Sequence, residues 1–196
     1  MPRTAEISRA TRETDISIKV DLDGKGENKI DTGIGFFDHM LTALSKHSGI
    51  DMEISCKGDL EVDSHHSVED VGIALGQAIA NALGDKVGIT RYGNARIPMD
   101  EALGVCDIDI SGRPFIVFDC KFMGEMMGTM DTQLVEEFMR SFAFNSGMTL
   151  HISCPYGTND HHKAEAMFKA LARSLRMAVS IDERFKDSVI STKGVL

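Results

Sequence analysis

A short histidine motif that occurs twice constrains this 196-residue chain more than any other feature. Both copies read H-H-x-x-E and both open a run of apolar residues at helical spacing. The members are His65, His66 and Glu69 in the first copy, and His161, His162 and Glu165 in the second. Because internal repeats decide the architecture of the whole chain, this motif predicts a duplicated fold.

The repetition extends well beyond the motif. Residues 14–22 alternate apolar and polar side chains, which predicts a half-buried strand, and residues 101–112 match residues 13–24 as the corresponding strand of the second half. After a turn at residues 23–26, residues 28–31 are predicted to be a short strand that returns beside the first, and residues 57–59 are predicted to be a turn. The other predicted elements are helix 36–48, strand 50–56, helix 68–83, return strand 115–120, helix 131–145, strand 147–154 and helix 164–179. Each half is thus predicted to be strand-strand-helix-strand-helix, with room for one further short strand. The fold class is α+β, with two similar halves that each have a mostly antiparallel sheet covered on one face by helices.

The predicted organisation has three parts. Residues 1–88 form the first repeat, residues 89–186 the second, and residues 187–196 a tail without a counterpart. Within the first repeat, residues 1–12 are polar and are predicted to be a mobile arm rather than a strand. The tail is too apolar for a solvated terminus, so we expect it to dock and to contribute to a binding site.

The net charge and the cysteine content limit the classes of partner and the cell compartment that suit this chain. The 21 basic and 30 acidic residues give a net charge of −9, which argues against nucleic acid or an anionic membrane as the main partner. The four cysteines form no C-x-x-C pair and are typical of a reduced, cytoplasmic protein. No apolar run reaches the length of a membrane span, and residues 1–4 do not lead into the apolar segment of a secretory signal, so we expect a soluble, intracellular protein.

The spacing within the motif favours metal binding. Residues four apart on a helix lie on one face, so His65 and Glu69 can bind one ion, whereas adjacent histidines diverge by about 100°. Two motifs therefore predict two ions, each with ligands from both repeats. Aligning the repeats also places His39 opposite Glu137 on the preceding helices. Imidazole and carboxylate without thiolate suit Mn, Fe, Co, Ni or Zn, although polar helix caps also explain a single copy of such a motif.

Basic residues in turn-like contexts suggest a phosphate site. Arg91, Arg113 and Lys193 each lie within two residues of a glycine or proline in an otherwise acidic chain. Together they could clamp a phosphate group, whereas each alone is typical of an ordinary surface charge.

Taken together, the motifs resemble those of the imidazoleglycerol-phosphate dehydratase family of histidine biosynthesis. The resemblance runs from Glu13 to the last residue. It is carried by residues 37–41, the double H-H-x-x-E, residues 98–103, residues 111–114 and the 191–196 ending. It implies a fold of the kind found in the second domain of a small-subunit ribosomal protein. It also implies removal of water from imidazole glycerol phosphate to give imidazole acetol phosphate, two Mn²⁺ ions per active site (other divalent transition metals being possible), and 24 subunits with active sites at their interfaces.

The resemblance also implies residue roles. The metal ligands would be His39, His65, His66, Glu69, Glu137, His161, His162 and Glu165. The substrate-binding residues would be Glu13, Arg91, Arg113, Lys169, Ser191 and Lys193. Several family members have histidine where this chain has Glu137, and a carboxylate there would favour a harder ion such as Mn²⁺.

The reaction itself supports metal catalysis. The proton to be lost sits on a carbon that no carbonyl activates, so the imidazole must accept the electrons. A Lewis-acidic metal on a ring nitrogen would favour the imidazolate and a diazafulvene-like intermediate. Glu165 is the expected base and Glu13 the acid or hydroxyl-positioning group, with Asp100 and Glu101 as further candidates.

Two alternatives remain open at the level of sequence. One is a two-metal phosphoester hydrolase, although such sites usually contain more aspartates. The other is a non-catalytic protein that stores metal or uses it to hold subunits together. Release of phosphate rather than formation of a ketone would identify the hydrolase. The non-catalytic protein would not need Arg91, Arg113 and Lys193 to converge on one pocket.

Overall fold

Two four-stranded sheets of the same topology carry the fold. The structure is a computed structural model that describes residues 2–196. The first half contains β1 (Thr4–Ala10), β2 (Thr14–Asp21), β3 (Asn28–Asp31), α1 (Gly35–Ser48), β4 (Asp51–Gly58) and α2 (His65–Leu83). The second half contains β5 (Tyr92–Met99), β6 (Ala102–Asp109), β7 (Phe115–Asp119), β8 (Met126–Met127), β9 (Met130–Asp131), α3 (Leu134–Ser146), β10 (Thr149–Ser153) and α4 (Asp160–Val179).

The strand orders confirm the duplicated α+β prediction. The sheets run β1-β2-β4-β3 and β5-β6-β10-β7, and in each the last pair is parallel while the others are antiparallel. β3 was expected to return beside β2, but it pairs in parallel with β4 instead. The reason is that α1 connects β3 to β4, and a helical crossover brings the second strand back in the same direction as the first.

The prediction of a mobile arm at residues 1–12 is wrong. Residues 4–10 form β1, an edge strand that pairs with β2 along its whole length. Its alternation is weak because the inward-facing positions Ala5, Ile7 and Arg9 are only half-buried. Arg9 reaches the buried Asp70 of α2 with a nitrogen–oxygen distance of 2.9 Å. The β1 edge is therefore held by a charge pair as well as by its ladder of hydrogen bonds.

The helices of the two halves pack crosswise, α1 against α4 and α2 against α3. Phe138 of α3 lies at the centre, with its ring 5.4 Å from Phe37 of α1 and 5.2 Å from Phe168 of α4 between centroids. All three rings are fully buried. This shared core joins the two sheets, so each half completes its packing only with helices of the other.

The tail folds back onto the second half. Arg91 donates from Nη1 to the Ile190 carbonyl at 2.7 Å, and the Gly88 amide donates to the Ser188 carbonyl at 2.9 Å. The expectation that the tail docks is therefore met within the chain itself. None of the helices in residues 2–196 is both long and apolar enough to cross a membrane.

Candidate active site

One group of metal-compatible side chains forms where α1 meets α4. His39 Nε2 lies 3.5 Å from Glu165 Oε2, and His161 Nε2 lies 3.2 Å from the same oxygen. Metal bonds of about 2.0–2.2 Å place neighbouring ligand atoms roughly 3.0–3.5 Å apart. These three residues are the one group of three such donors within 4.8 Å of one another in the described part of the chain. The residues therefore fit a divalent ion, with ligands from both repeats.

Glu165 is the buried member of this group. Lys169, one turn along α4, lies 2.6 Å from its Oε1, while Oε2 faces both histidines. Burial raises the pKa of the Glu165 carboxyl, but the contacts with Lys169 and His39 lower it by more, so the carboxyl is ionised at neutral pH. An ionised carboxylate between two imidazoles is a suitable ligand for Mn²⁺.

The start of α4 is fixed by a side-chain cap. Asn159 Oδ1 accepts hydrogen bonds from the His161 and His162 amides at 2.9 and 3.3 Å. Behind it, Asp160 and the buried Lys163 form an ion pair at 2.8 Å. The first turn that carries both histidines is thus held in place before any ligand binds.

His66 and His162 lie apart from this group, as expected for adjacent histidines on a helix. His66 Nδ1 lies 3.0 Å from Asp59 Oδ2, and its Nε2 is 3.9 Å from Glu13 Oε1. The Asp59 hydrogen bond raises the pKa of His66. Glu13 is half-exposed and is the nearest carboxylate on the Nε2 side.

His162 has the same arrangement with different residues. Its Nδ1 lies 2.8 Å from Glu101 Oε2, and its Nε2 is 3.7 Å from Asp100 Oδ2. The Glu101 hydrogen bond raises the pKa of His162, and the pKa of Glu101 is correspondingly far below its usual range. Asp100 is well exposed and occupies a left-handed backbone conformation in the β5–β6 turn. Asp100 and Glu13 therefore both lie near Nε2 of the outer histidine in their half.

The remaining predicted ligands lie on the α2–α3 side. His65 and Glu137 line one cavity of about 570 Å³. Glu69 is half-buried on α2, one turn after His65. Glu137 also lies 4.0 Å from Arg140 on its own helix. The structure thus brings His65 and Glu137 to one cavity, but the three residues do not meet as closely as His39, His161 and Glu165 do.

Four of the six predicted substrate-binding residues share a single cleft. Arg91, Arg113, Ser191 and Lys193 line a space of about 630 Å³ between the second sheet and the tail. Arg113 is mostly exposed and lies 4.0 Å from Asp109, so its guanidinium is available to a ligand. The sequence prediction that these side chains converge is consistent with this geometry.

Arg91 has a structural task in this cleft. Its Nε and Nη2 donate to the two oxygens of Asp109 at 2.7 and 3.1 Å, while Nη1 holds the tail at Ile190. The Asp109 hydrogen bond raises the pKa of Arg91 further. The side chain is largely buried. Arg91 therefore shapes the cleft and anchors the tail, while Arg113 and Lys193 present freer charges.

The cleft and the His39 group are far apart within one chain. The Arg91 amide donates to the Ala178 carbonyl of α4 at 2.9 Å. Ala178 and Glu165 are thirteen residues apart on that helix, which corresponds to about 20 Å along its axis. The sequence alone could not reveal this separation because the residues of both sites appear in the same family motifs.

Asp59 is the site residue that sequence reasoning missed. It was assigned only to the turn after β4, whereas the structure places its carboxylate on His66. The available signal was an acidic residue at a strand end, seven positions before the histidine. Glu101 was considered as a catalytic carboxylate, but its oxygens are fully engaged by His162, Thr158 and Asn159.

Comparison with known proteins gives one consistent result. The family model described as imidazoleglycerol-phosphate dehydratase matches residues 32–175. Dehydratases of this name from Acidiphilium cryptum and Alkaliphilus metalliredigens are 58% and 57% identical, each over 100% of both chains. The one from Gluconobacter oxydans is 56% identical over 99% of this chain and 98% of its own.

Solved structures agree with the sequence comparisons. The dehydratase from Staphylococcus aureus superposes with a TM-score of 0.83 at 40% identity, covering 91% of this chain and 99% of its own. The one from Pyrococcus furiosus gives 0.81 at 38% identity, covering 97% and 100%. These relatives are hydro-lyases of histidine biosynthesis, which decides against the hydrolase and the non-catalytic metal protein. The chain belongs to the imidazoleglycerol-phosphate dehydratase family.

Proposed function

We propose that this chain dehydrates imidazole glycerol phosphate to imidazole acetol phosphate in the cytoplasm and depends on divalent metal, with two Mn²⁺ ions per site. The observation that carries the metal dependence is the spacing of His39, His161 and Glu165, whose donor atoms are 3.2 and 3.5 Å apart. Those residues would hold one ion. His65, Glu69 and Glu137 would contribute to the second, and His66 and His162 would complete the ligand sets. A bound ion would act as a Lewis acid toward the imidazole ring of the substrate.

Proton transfer is assigned to the exposed carboxylates. Glu165 was expected to be both ligand and base, but each of its oxygens already has a partner. We keep it as a ligand, with Lys169 holding its second oxygen. Glu13 and Asp100 face the Nε2 sides of His66 and His162 and are exposed enough to meet a substrate. They would move the proton from carbon and protonate the departing hydroxyl.

The distance between the two sites supports catalysis at subunit interfaces. The substrate spans about seven bonds from ring nitrogen to phosphate oxygen, or roughly 10 Å at ordinary bond lengths. It cannot bridge the roughly 20 Å of α4 between Glu165 and Ala178. We therefore propose that the phosphate cleft of one subunit faces the metal ligands of another, within an assembly of 24 subunits. Arg113, Ser191 and Lys193 would then bind the phosphate, and Arg91 would shape their cleft.

The first test is a direct assay. Metal-free protein reconstituted with Mn²⁺ is incubated with imidazole glycerol phosphate, and the ketone product and free phosphate are followed in parallel. We expect ketone without phosphate, and we expect a chelator to abolish it. The matched control is the same protein reconstituted with Mg²⁺, which has little preference for imidazole ligands. Activity that survives complete removal of metal would contradict the proposed metal dependence.

A further inference from the structure

Both outer histidines of the repeated motif are held at the same ring atom. His66 Nδ1 contacts Asp59 at 3.0 Å, and His162 Nδ1 contacts Glu101 at 2.8 Å. The two carboxylates do not correspond in the repeat, since Asp59 follows β4 whereas Glu101 lies in the β5–β6 turn. The residue that corresponds to Glu101 is Glu13, which faces the Nε2 side of His66 instead. Two residues that do not correspond in the repeat therefore place a carboxylate at the same ring atom, Nδ1, in the two halves.

The requirement concerns the proton on the imidazole. An ionised carboxylate only accepts hydrogen bonds, so the ring nitrogen beside it must carry the proton. The other nitrogen then has a free lone pair. In both histidines that nitrogen is Nε2, which faces the exposed carboxylates Glu13 and Asp100 rather than the protein interior. A hydrogen bond of this kind fixes the tautomer and ring orientation of a metal ligand.

We propose that Asp59 and Glu101 are positioning residues that hold His66 and His162 with Nδ1 protonated and Nε2 free to bind metal. This inference rests on the proposed metal-binding role of the two histidines. It also gives Glu101 a different task from that of Asp100, its neighbour in the turn. Neither positioning residue is required to touch the substrate.

The two positioning residues differ in how firmly they are held. Glu101 Oε1 accepts hydrogen bonds from the Thr158 amide at 2.9 Å, the Thr158 hydroxyl at 3.2 Å and the Asn159 amide at 2.7 Å. The Asp59 side chain has His66 as its one hydrogen-bond partner in the described chain. The side-chain end of residue 101 therefore cannot rotate by half a turn to exchange its two terminal atoms, whereas that of residue 59 can. This difference provides a matched pair of nearly isosteric substitutions.

In Glu101→Gln, the amide oxygen must occupy the Oε1 place because three donors converge there. The amide NH₂ then faces His162 Nδ1 and forces the proton onto Nε2, which removes the ligand lone pair. In Asp59→Asn, the amide can rotate to keep its oxygen on His66 Nδ1. We expect Glu101→Gln to weaken Mn²⁺ binding about 10- to 100-fold, and Asp59→Asn to weaken it less than about 3-fold.

The measurement is calorimetric titration of Mn²⁺ alone into the metal-free protein and its variants. Thermal unfolding of the metal-free forms is the control, and it is measured at alkaline pH, where the stability that comes from the raised pKa of His162 is lost. There Glu101→Gln should unfold close to the wild-type temperature because it keeps its bonds to Thr158 and Asn159. Wild-type affinity in Glu101→Gln would overturn the inference while leaving the proposed function intact. A wild-type protein that binds no Mn²⁺ would overturn both.

Asp59→Ala provides a second line of evidence if Glu101→Gln folds poorly. It removes the one partner of His66 Nδ1 and disturbs no other side-chain hydrogen bond in the described chain. We expect about a tenfold loss of Mn²⁺ affinity, with an unfolding temperature close to that of the wild type at the same alkaline pH. Unchanged affinity in that variant would show that the carboxylate does not position His66.

Discussion

At the residue scale, Glu165 and Glu13 have opposite environments although both are glutamates near motif histidines. Glu165 is buried, contacts Lys169 with one oxygen and faces His39 and His161 with the other. Glu13 is half-exposed, and within residues 2–196 the one charged partner near its carboxylate is His66, whose Nε2 is 3.9 Å away. The first suits a ligand, and the second suits a group that gains and loses a proton.

Glutamine substitutions separate these roles. Glu165→Gln should abolish binding of one Mn²⁺ ion, because Lys169 would hold the amide oxygen in the Oε1 place and leave the amide nitrogen, which cannot bind a metal, between the two imidazoles. Glu13→Gln should keep both ions but lower kcat about 10²- to 10⁴-fold, the usual contribution of general acid–base catalysis. Metal content by elemental analysis and kcat at saturating substrate test the two effects. Full activity in Glu13→Gln would show that Glu13 does not transfer the proton and would leave Asp100 or Glu165 as the candidates.

Sequence reasoning identified most of these residues because the motif and its duplication are local signals. It could not assign Glu165 to one role, since the two contacts that occupy its oxygens come from α1 and from the next turn of α4. It also missed Asp59, whose contact with His66 depends on where the β4–α2 connection turns. Side-chain partners across a connection have no fixed spacing in the sequence.

At the element scale, the crossing of α2 and α3 depends on close backbone approach. A Cβ added at Gly76 would lie 2.7 Å from the Phe142 carbonyl oxygen and 3.0 Å from the Ser146 amide nitrogen. Backbone atoms cannot rotate away as a side chain can. The two helices therefore lie as close as they do because residue 76 has no side chain.

Gly76→Ala should destabilise the protein by about 1–3 kcal/mol, the usual range for overpacking. It should also weaken Mn²⁺ binding on the α2–α3 side, because His65 and Glu137 lie on the helices that must separate. Gly35→Ala is the matched control, since a Cβ at the start of α1 meets nothing within 4 Å. That variant should be neutral or slightly more stable. Chemical denaturation of both variants would compare them, and equal stability would contradict the close-packing account.

The elements that sequence reasoning got right are those with strong periodicity. α2, α4 and β2 have one buried face each and were recognised from it. β1 was mistaken for an arm because an edge strand with half-buried inward positions leaves little alternation. The partner of β3 was also misjudged, since pairing order is set by the crossover through α1 rather than by the strand itself.

At the scale of the whole molecule, opposing pKa shifts set how stability varies with pH. The carboxyl pKa values of Asp160 and Glu165 are lowered despite their burial, by Lys163 and Lys169 respectively. Their contribution is present above the unfolded values of 3.8 and 4.5 and is lost as pH falls through the lower folded values. The pKa values of His66 and His162 are raised from 6.5. Their contribution is present below 6.5 and is lost as pH rises through the higher folded values.

The metal-free protein should therefore be most stable between about pH 4.5 and 6.5 and should lose stability on both sides. His47 opposes this on the alkaline side, because burial and the charges of Lys169 and Arg173 lower its pKa. Because His47 is one group while His66 and His162 are two, we still expect a net loss of stability above pH 6.5. Urea denaturation in the presence of chelator, from about pH 3 to pH 8, measures the profile. Replacing His66 and His162 by Asn should remove the decline above pH 6.5, and a steady rise in stability from pH 6 to pH 8 would contradict the assignment.

The crosswise packing of α1 on α4 and α2 on α3 also has a consequence for synthesis. As the chain leaves the ribosome, the first sheet and its two helices appear long before their packing partners. Phe37 of α1 and the side of α2 that faces α3 stay uncovered until α3, with Phe138, and α4 have been translated. Because contacts between residues far apart in sequence form slowly, the nascent first half is the stage at which this protein is most exposed to aggregation and to chaperones.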